Sequence, residues 1–405
     1  MLEHGSALTA PGTVERMPGR VYLLAGGGFA VGTSAYVVSG MLPAVAADLG
    51  VSLTAAGQLT TAFALAYAVG APVLAVLTGR WERRRLLLVA LLVATAGNTL
   101  AALAPNYPLL LAARVLAALG AAVFTPAATL VATQLSPPGR RGQAVAAVFS
   151  GLTLALVIGV PAATLLEPLI GFRGVFALVA AICVLAAIGV RLLLPRVSAP
   201  DAVGLRARLT VAADRRVLTV LAVSTLGLLA VMSVYTYIAP LLDASAGVRG
   251  SRLGLVLLGY GAGCLVGNSV GGRLADRFGN RRPLLVAIPL FVLALATLPW
   301  TASSPVGAAI ALFALGMIGW STNAPLQSRL IELSPGGSGL VLSLNASAIY
   351  LGAGLSGVVG GLVIAWFGVQ ALPLVAGVIA LAGLVMLLIA LRQRPSPAGA
   401  PTPLG

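Results

Sequence analysis

Hydrophobic positions in this chain fall in long, nearly unbroken runs, with neither the every-second-residue alternation of strands nor the three-four spacing of surface helices. Short clusters of Arg, Pro, Asp and Gly separate the runs. About 20 apolar residues in helical form cross a ~30 Å hydrocarbon layer. Backbone groups find no water there, so unbroken runs of this length must be helices. The pattern predicts twelve of them: Val21 to Ala44, Ala55 to Thr78, Leu86 to Ala104, Pro108 to Gln134, Gly142 to Leu166 and Gly174 to Leu194 first. Val217 to Leu242, Ser251 to Ala275, Pro283 to Trp300, Pro305 to Ile331, Gly339 to Ala365 and Val369 to Leu391 follow.

The predicted fold class is therefore an all-α membrane protein with twelve transmembrane helices in two pseudo-symmetric six-helix bundles. Residues 21–194 form the first bundle and 217–391 the second. A cytoplasmic linker at 195–216, rich in Arg and holding Pro195 and Pro200, joins them. Residues 1–20 lack the layout of a secretory signal and read as a cytoplasmic tail, as do 392–405. An internal repeat supports the division: a shift of 197 positions (43 to 240) aligns Pro43 with Pro240, Gly57 with Gly254, Gly70 with Gly267, Arg80 with Arg277 and Arg84 with Arg281. Two such halves predict an axis along the membrane normal, with a site between them near midplane.

Composition narrows the function classes. Of 405 residues, 59% are hydrophobic and 9% charged, against roughly 25% charged in an average soluble domain. The net charge of +15 comes from Arg alone, since the chain has no Lys. These Arg lie between apolar runs instead of on one polar face, which sets topology and meets anionic lipid without implying nucleic acid. With the amino terminus inside, Arg173, Arg249 and Arg252 fall outside and Arg114 within a span, leaving the rest cytoplasmic. Both termini are then predicted inside the cytoplasmic membrane of a bacterium. His4 is the sole His, and Cys183 and Cys264 lie far apart in apolar runs, so neither a metal site, a cofactor site nor an enzymatic centre is expected.

The most specific stretch is Gly271-Gly272-Arg273-Leu274-Ala275-Asp276-Arg277-Phe278-Gly279-Asn280-Arg281-Arg282, between spans eight and nine. It resembles the G-x-L-A-D-R-x-G-R-R loop of the major facilitator superfamily, which occurs there and again between spans two and three. The first copy here keeps Arg80, Arg84 and Arg85 but has Gly79 where the second has Asp276. A carboxylate at a helix end, held by neighbouring Arg and a helix amino end, makes a latch that breaks when helices separate. Asp276, Arg277, Arg281, Arg282, Arg80 and Arg84 are the candidate latch residues. Arg114 on span four resembles the R-x-x-x-G arginine of drug efflux members. Gly151, Gly159 and Pro161 on span five look like the antiporter motif of the drug:proton antiporter group, with Ala162 and Ala163 replacing the glycines expected next. The opening Gly32-Thr33-Ser34-Ala35-Tyr36 is similar to the G-T-S-E-F/Y opening of chloramphenicol-resistance and sugar-efflux types, with Ala35 where those carry Glu.

A buried guanidinium must face protein or water, so Arg114 heads the candidate substrate or coupling residues. Polar and aromatic span residues join it: Tyr36, Tyr67 and Phe124 in the first half, and Tyr235, Tyr260, Trp320, Asn323 and Asn345 in the second. The resemblance implies export of a small amphiphilic, drug-like molecule by alternating access, with protons as candidate coupling ions and a monomer as the assembly. The alternative is a sugar, nucleoside or other metabolite carrier of the same fold.

Overall fold

The computed structural model describes residues 19–137, 141–198, 214–334 and 338–392. Most of the leader with His4, Arg140, the central linker with Pro200, and the tail beyond Arg392 lie outside the described residues. Among the described residues every regular element is helical.

The first crossing consists of α1 (Gly19–Tyr36), a 3-10 turn (Val37–Gly40) and α2 (Leu42–Leu49). Then come α3 (Leu53–Leu77), α4 (Arg83–Ala102) and α5 (Tyr107–Gln134). The fifth begins with α6 (Arg141–Leu154) and a π-helical turn (Ala155–Gly159), and runs into α7 (Val160–Leu193). The apolar stretch Gln143–Leu193 is continuous over 51 residues. At 1.5 Å per residue it would measure ~75 Å, more than two bilayer cores. Gly171, at φ 68° and ψ 166°, interrupts α7, so the stretch makes two crossings and the eleven long apolar helices make twelve.

The second half repeats this plan. Its seventh crossing is α8 (Arg215–Thr236) followed by α9 (Ile238–Ala246), and α10 (Gly250–Phe278) and α11 (Arg281–Thr301) come next. The tenth is α12 (Pro305–Ser321) plus α13 (Asn323–Leu333), and α14 (Ser338–Phe367) and α15 (Leu372–Arg392) complete the bundle.

The breaks after α1 and α8 share a cause. Proline lacks the N–H that would bond the carbonyl four residues back, and its ring crowds that carbonyl. Pro43 therefore frees Ser39 within the 3-10 turn, and Pro240 frees Thr236 where α8 ends. Backbone conformation keeps the same 197-residue offset: Gly50 and Gly247 both have φ 62°, and Gly171 and Gly368 have φ 68° and 81°. The repeat read in the sequence is a repeat of turns.

Between the halves, α3 packs on α14, and α7 with the π-helical turn packs on α10. Bonds joining them cluster away from the arginine-rich loops: Thr54 Oγ1 donates to Gly361 O (3.4 Å) and Gln58 Nε2 to Gly357 O (3.2 Å). Tyr237 Oη donates to Gly357 O (2.8 Å), with its ring over Gly57 leaving no room for a side chain there. At this same end Arg173 pairs with Asp48 (2.7 Å) and Arg249 with Asp243.

Candidate functional site

A partly open cavity of about 130 Å³ lies between midplane and the arginine-rich end. Its wall includes Tyr36 from the first half and Ser224, Phe291, Trp320, Thr322 and Asn323 from the second, with aliphatic residues of α8, α11, α14 and α15. Among the described residues no acidic side chain lines it. The tenth crossing supplies most of the polar wall because it is broken there. Pro325 cannot bond the carbonyl of Ser321, and α12 stops at Ser321 while α13 starts at Asn323. Discontinuous helices at midplane present loose backbone and side-chain groups to a ligand. Sequence reading treated Pro305 to Ile331 as one run and missed this break; Pro325 was its signal.

Above the cavity lies a layer of tyrosines. Tyr67 of α3 stacks on Tyr350 of α14 across the halves, with centroids 3.5 Å apart and planes 17° from parallel. Tyr235 and Tyr260 pair within the second half at 4.9 Å; both hydroxyls are buried, that of Tyr260 beside Cys264 and Trp320, and that of Tyr235 without a hydrogen-bond partner among the described residues. Tyr36 sits between the pairs, in electrostatic range of Tyr67 and Tyr235. The Asn345 carboxamide oxygen is likewise buried and unpartnered.

Of the nine residues expected at the wall, Tyr36, Trp320 and Asn323 line the cavity, whereas Tyr67, Tyr235, Tyr260, Asn345, Arg114 and Phe124 do not. Arg114 lies seven positions into α5, about 10 Å from the helix start at the end opposite the arginine-rich loops. It is fully buried. Its Nη1 donates to Ser34 O (2.6 Å) and Nη2 to Ala35 O (3.2 Å), while the rings of Phe63 and Phe176 flank it at 4.4 and 5.9 Å. The last carbonyls of a helix lack internal partners and carry partial negative charge, so the guanidinium caps α1 at its break. Ser34 Oγ extends the network to Asn98 Oδ1 (3.0 Å), a residue that sequence reading passed over. Phe124 is also fully buried, its ring filling the space over Gly27 of α1.

The glycines on the fifth crossing are packing surfaces. Side chains at Gly151 and Gly159 would strike Ala25 O and the Thr33 hydroxyl of α1. Opposite, Val157 and Pro161 meet the bare faces of Gly261 and Gly254 on α10. The π-helical turn before Pro161 thus lies where α1, the fifth crossing and α10 converge. A π turn and a proline both interrupt the helical ladder.

Asp276 is exposed and, among the described residues, has neither an ion pair nor a hydrogen bond, while Arg277 lies over the Phe278 ring at 5.3 Å. Arg80, Arg281 and Arg282 are exposed too. The first copy of the loop is fastened within its own half. Glu82 caps α4, accepting from Arg84 N (2.8 Å) and Arg85 N (2.9 Å), and also accepts from Val197 N (3.0 Å). Arg83 N donates to Val197 O (2.9 Å), and Arg84 reaches Arg191 O. Partial burial pushes the Glu82 carboxyl up, but the N–H groups of Val197, Arg84 and Arg85 and the Arg84 charge outweigh it and hold it below its ordinary value. Sequence reading had no signal for the Val197 contact, which joins residues more than a hundred positions apart.

Comparison with known proteins agrees with this architecture. The family model for the Major Facilitator Superfamily matches residues 24–338 and 221–405. The inner membrane transport protein YdhP of Escherichia coli is 35% identical over 92% of this chain and 96% of its own. A chloramphenicol resistance protein of Streptomyces lividans is 36% identical over 83% of this chain and 87% of its own. Among solved structures, a bacterial homologue of the human lysosomal transporter Spinster superposes with a TM-score of 0.78 at 18% identity, over 96% of this chain and 100% of that one. Twelve crossings, breaks repeated between two halves and likeness along most of the chain converge on one placement: this multi-pass membrane transporter belongs to the Major Facilitator Superfamily.

Proposed function

We propose that the protein exports a small, uncharged, partly aromatic amphiphile from the bacterial cytoplasm by alternating access. The carrying observation is the cavity that Tyr36, Trp320 and Asn323 help to line, without an acidic side chain and beneath a seal at the opposite end. Aromatic faces offer adaptable apolar area, and Asn323 and Thr322 offer hydrogen bonds. A cationic drug would lose its hydration there without gaining a counter-ion. The positive-inside rule puts the arginine-rich end in the cytoplasm, with both termini. The cavity on that side, the unpaired Asp276 and the distant seal together fit an inward-facing state.

In this reading residues 21–194 and 217–391 are the two moving bundles, and the loop around Asp276 latches them when the inner face closes. The glycine-lined fifth crossing and the resistance function of the Streptomyces relative support export. Proton coupling through the first span is not available, since Ala35 stands where a carboxylate would act and its carbonyl is taken by Arg114. The cycle, if driven by protons, runs through another group.

A susceptibility panel in a pump-deficient host tests this. Expression is expected to raise tolerance to chloramphenicol, a neutral aromatic amide, and Trp320→Ala or Asn323→Ala to remove the gain with protein level unchanged. Protection against permanently cationic dyes but not neutral drugs would overturn the assignment.

A further inference from the structure

A second concavity lies on the outer face of the second half. Helix α10 rides on α12 with backbones in contact, because Gly263, Gly267 and Gly271 leave no side chain between them. Helix α11 instead packs mainly on α15 and α12. A wedge remains, with about 1030 Å³ of empty space, part of it open. Val270 and Leu274 form one wall, Val286 and Leu290 the other, and Met317 the floor. Arg282 stands at its mouth on the arginine-rich end.

We propose that this wedge binds one anionic diacyl phospholipid of the adjoining leaflet, with an acyl chain between α10 and α11 and the headgroup phosphate on Arg282. Charge complementarity selects that occupant. The segment 271–282 carries Arg273, Arg277, Arg281 and Arg282 against the single carboxylate of Asp276, and Arg282 has no ion pair or hydrogen bond among the described residues. The equivalent position in the first half is occupied differently. Arg85 lies over the Trp81 ring at 5.8 Å and follows the Glu82 carboxylate, whereas Gly279 takes the place of that acid in the second copy. Apolar space facing hydrocarbon is filled by acyl chains, since a void forfeits contacts on one side. Basic pockets between spanning helices take anionic headgroups. The inference concerns the lipid-facing surface and stands apart from the transported substrate and its direction.

The test is native mass spectrometry of the full chain in detergent, titrated with phosphatidylglycerol or with phosphatidylcholine of the same acyl chains. One retained phosphatidylglycerol is expected, preferred by about fivefold or more, the discrimination that one arginine at an anionic surface supplies. Arg282→Gln, at an exposed site where folding is not at stake, should reduce that preference to near unity. Leu290→Trp should fill the wedge and remove the retained lipid of either class, whereas Arg252→Gln at the other end should change nothing. Equal retention of both lipids by the unaltered chain, or a preference that survives Arg282→Gln, would overturn the proposal.

Discussion

The Arg114 guanidinium and the Ser34 carbonyl oxygen meet at 2.6 Å in a fully buried site. One positive side chain thereby caps α1 where it gives way to the 3-10 turn Val37–Gly40. Arg114→Ala should lower thermal stability with or without substrate, because each stranded buried carbonyl costs ~1–3 kcal/mol. Arg114→Lys keeps the charge but cannot fork to both oxygens, so an intermediate loss is expected. Unfolding scans of both variants in detergent check this; Arg114→Ala with unchanged stability would show that α1 needs no cap.

Gly171 and Gly368 are paired turns at φ 68° and 81° with ψ 166° and 165°. That region is nearly closed to side-chain-bearing residues, at ~1–3 kcal/mol each. Gly171→Ala and Gly368→Ala should therefore destabilise by similar amounts, and their double variant by about the sum, since the turns lie in different halves. A large difference between them would break the structural equivalence.

A Cβ at Gly267 would meet the Met317 backbone, whereas one at Gly272 meets nothing within 4 Å. Gly267→Ala is expected to cost ~1–3 kcal/mol by overpacking, while Gly272→Ala should be neutral or slightly stabilising within a helix. Parallel melting curves decide it.

The Glu82 contacts make a pH prediction. With its native carboxyl held below the ordinary 4.5, the stabilisation is complete above that value and vanishes as pH falls through the lower native one. Glu82→Ala should be less stable than the unaltered chain at neutral pH, and the gap should close below about pH 4. A gap independent of pH would mean that the carboxylate charge contributes nothing.

Much of this fold was legible because the bilayer imposes a coarse rule on sequence. Apolar length gave twelve crossings, and the 197-residue offset marked the repeat that contains Pro43 and Pro240, though not the helix breaks at them. The site was less legible. Arg114 stood out as a lone buried charge, but its partners are backbone carbonyls, which every residue possesses and no pattern marks. Tyr67 was visible as a polar aromatic, yet its stacking on Tyr350 depends on how α3 and α14 meet. Pro325 was visible too, and it would have revealed the divided tenth crossing had it been read as a helix break.

The backbone-to-backbone fit of α10 on α12 has a mechanical consequence. At Gly263, Gly267 and Gly271 the two main chains meet with no side chain between them, so neither helix can move closer to the other. The pair forms one closely packed unit, with the Asp276 loop at its tip and Trp320 along its flank. In the proposed transport cycle, a displacement of that loop would reach Trp320 through this unit.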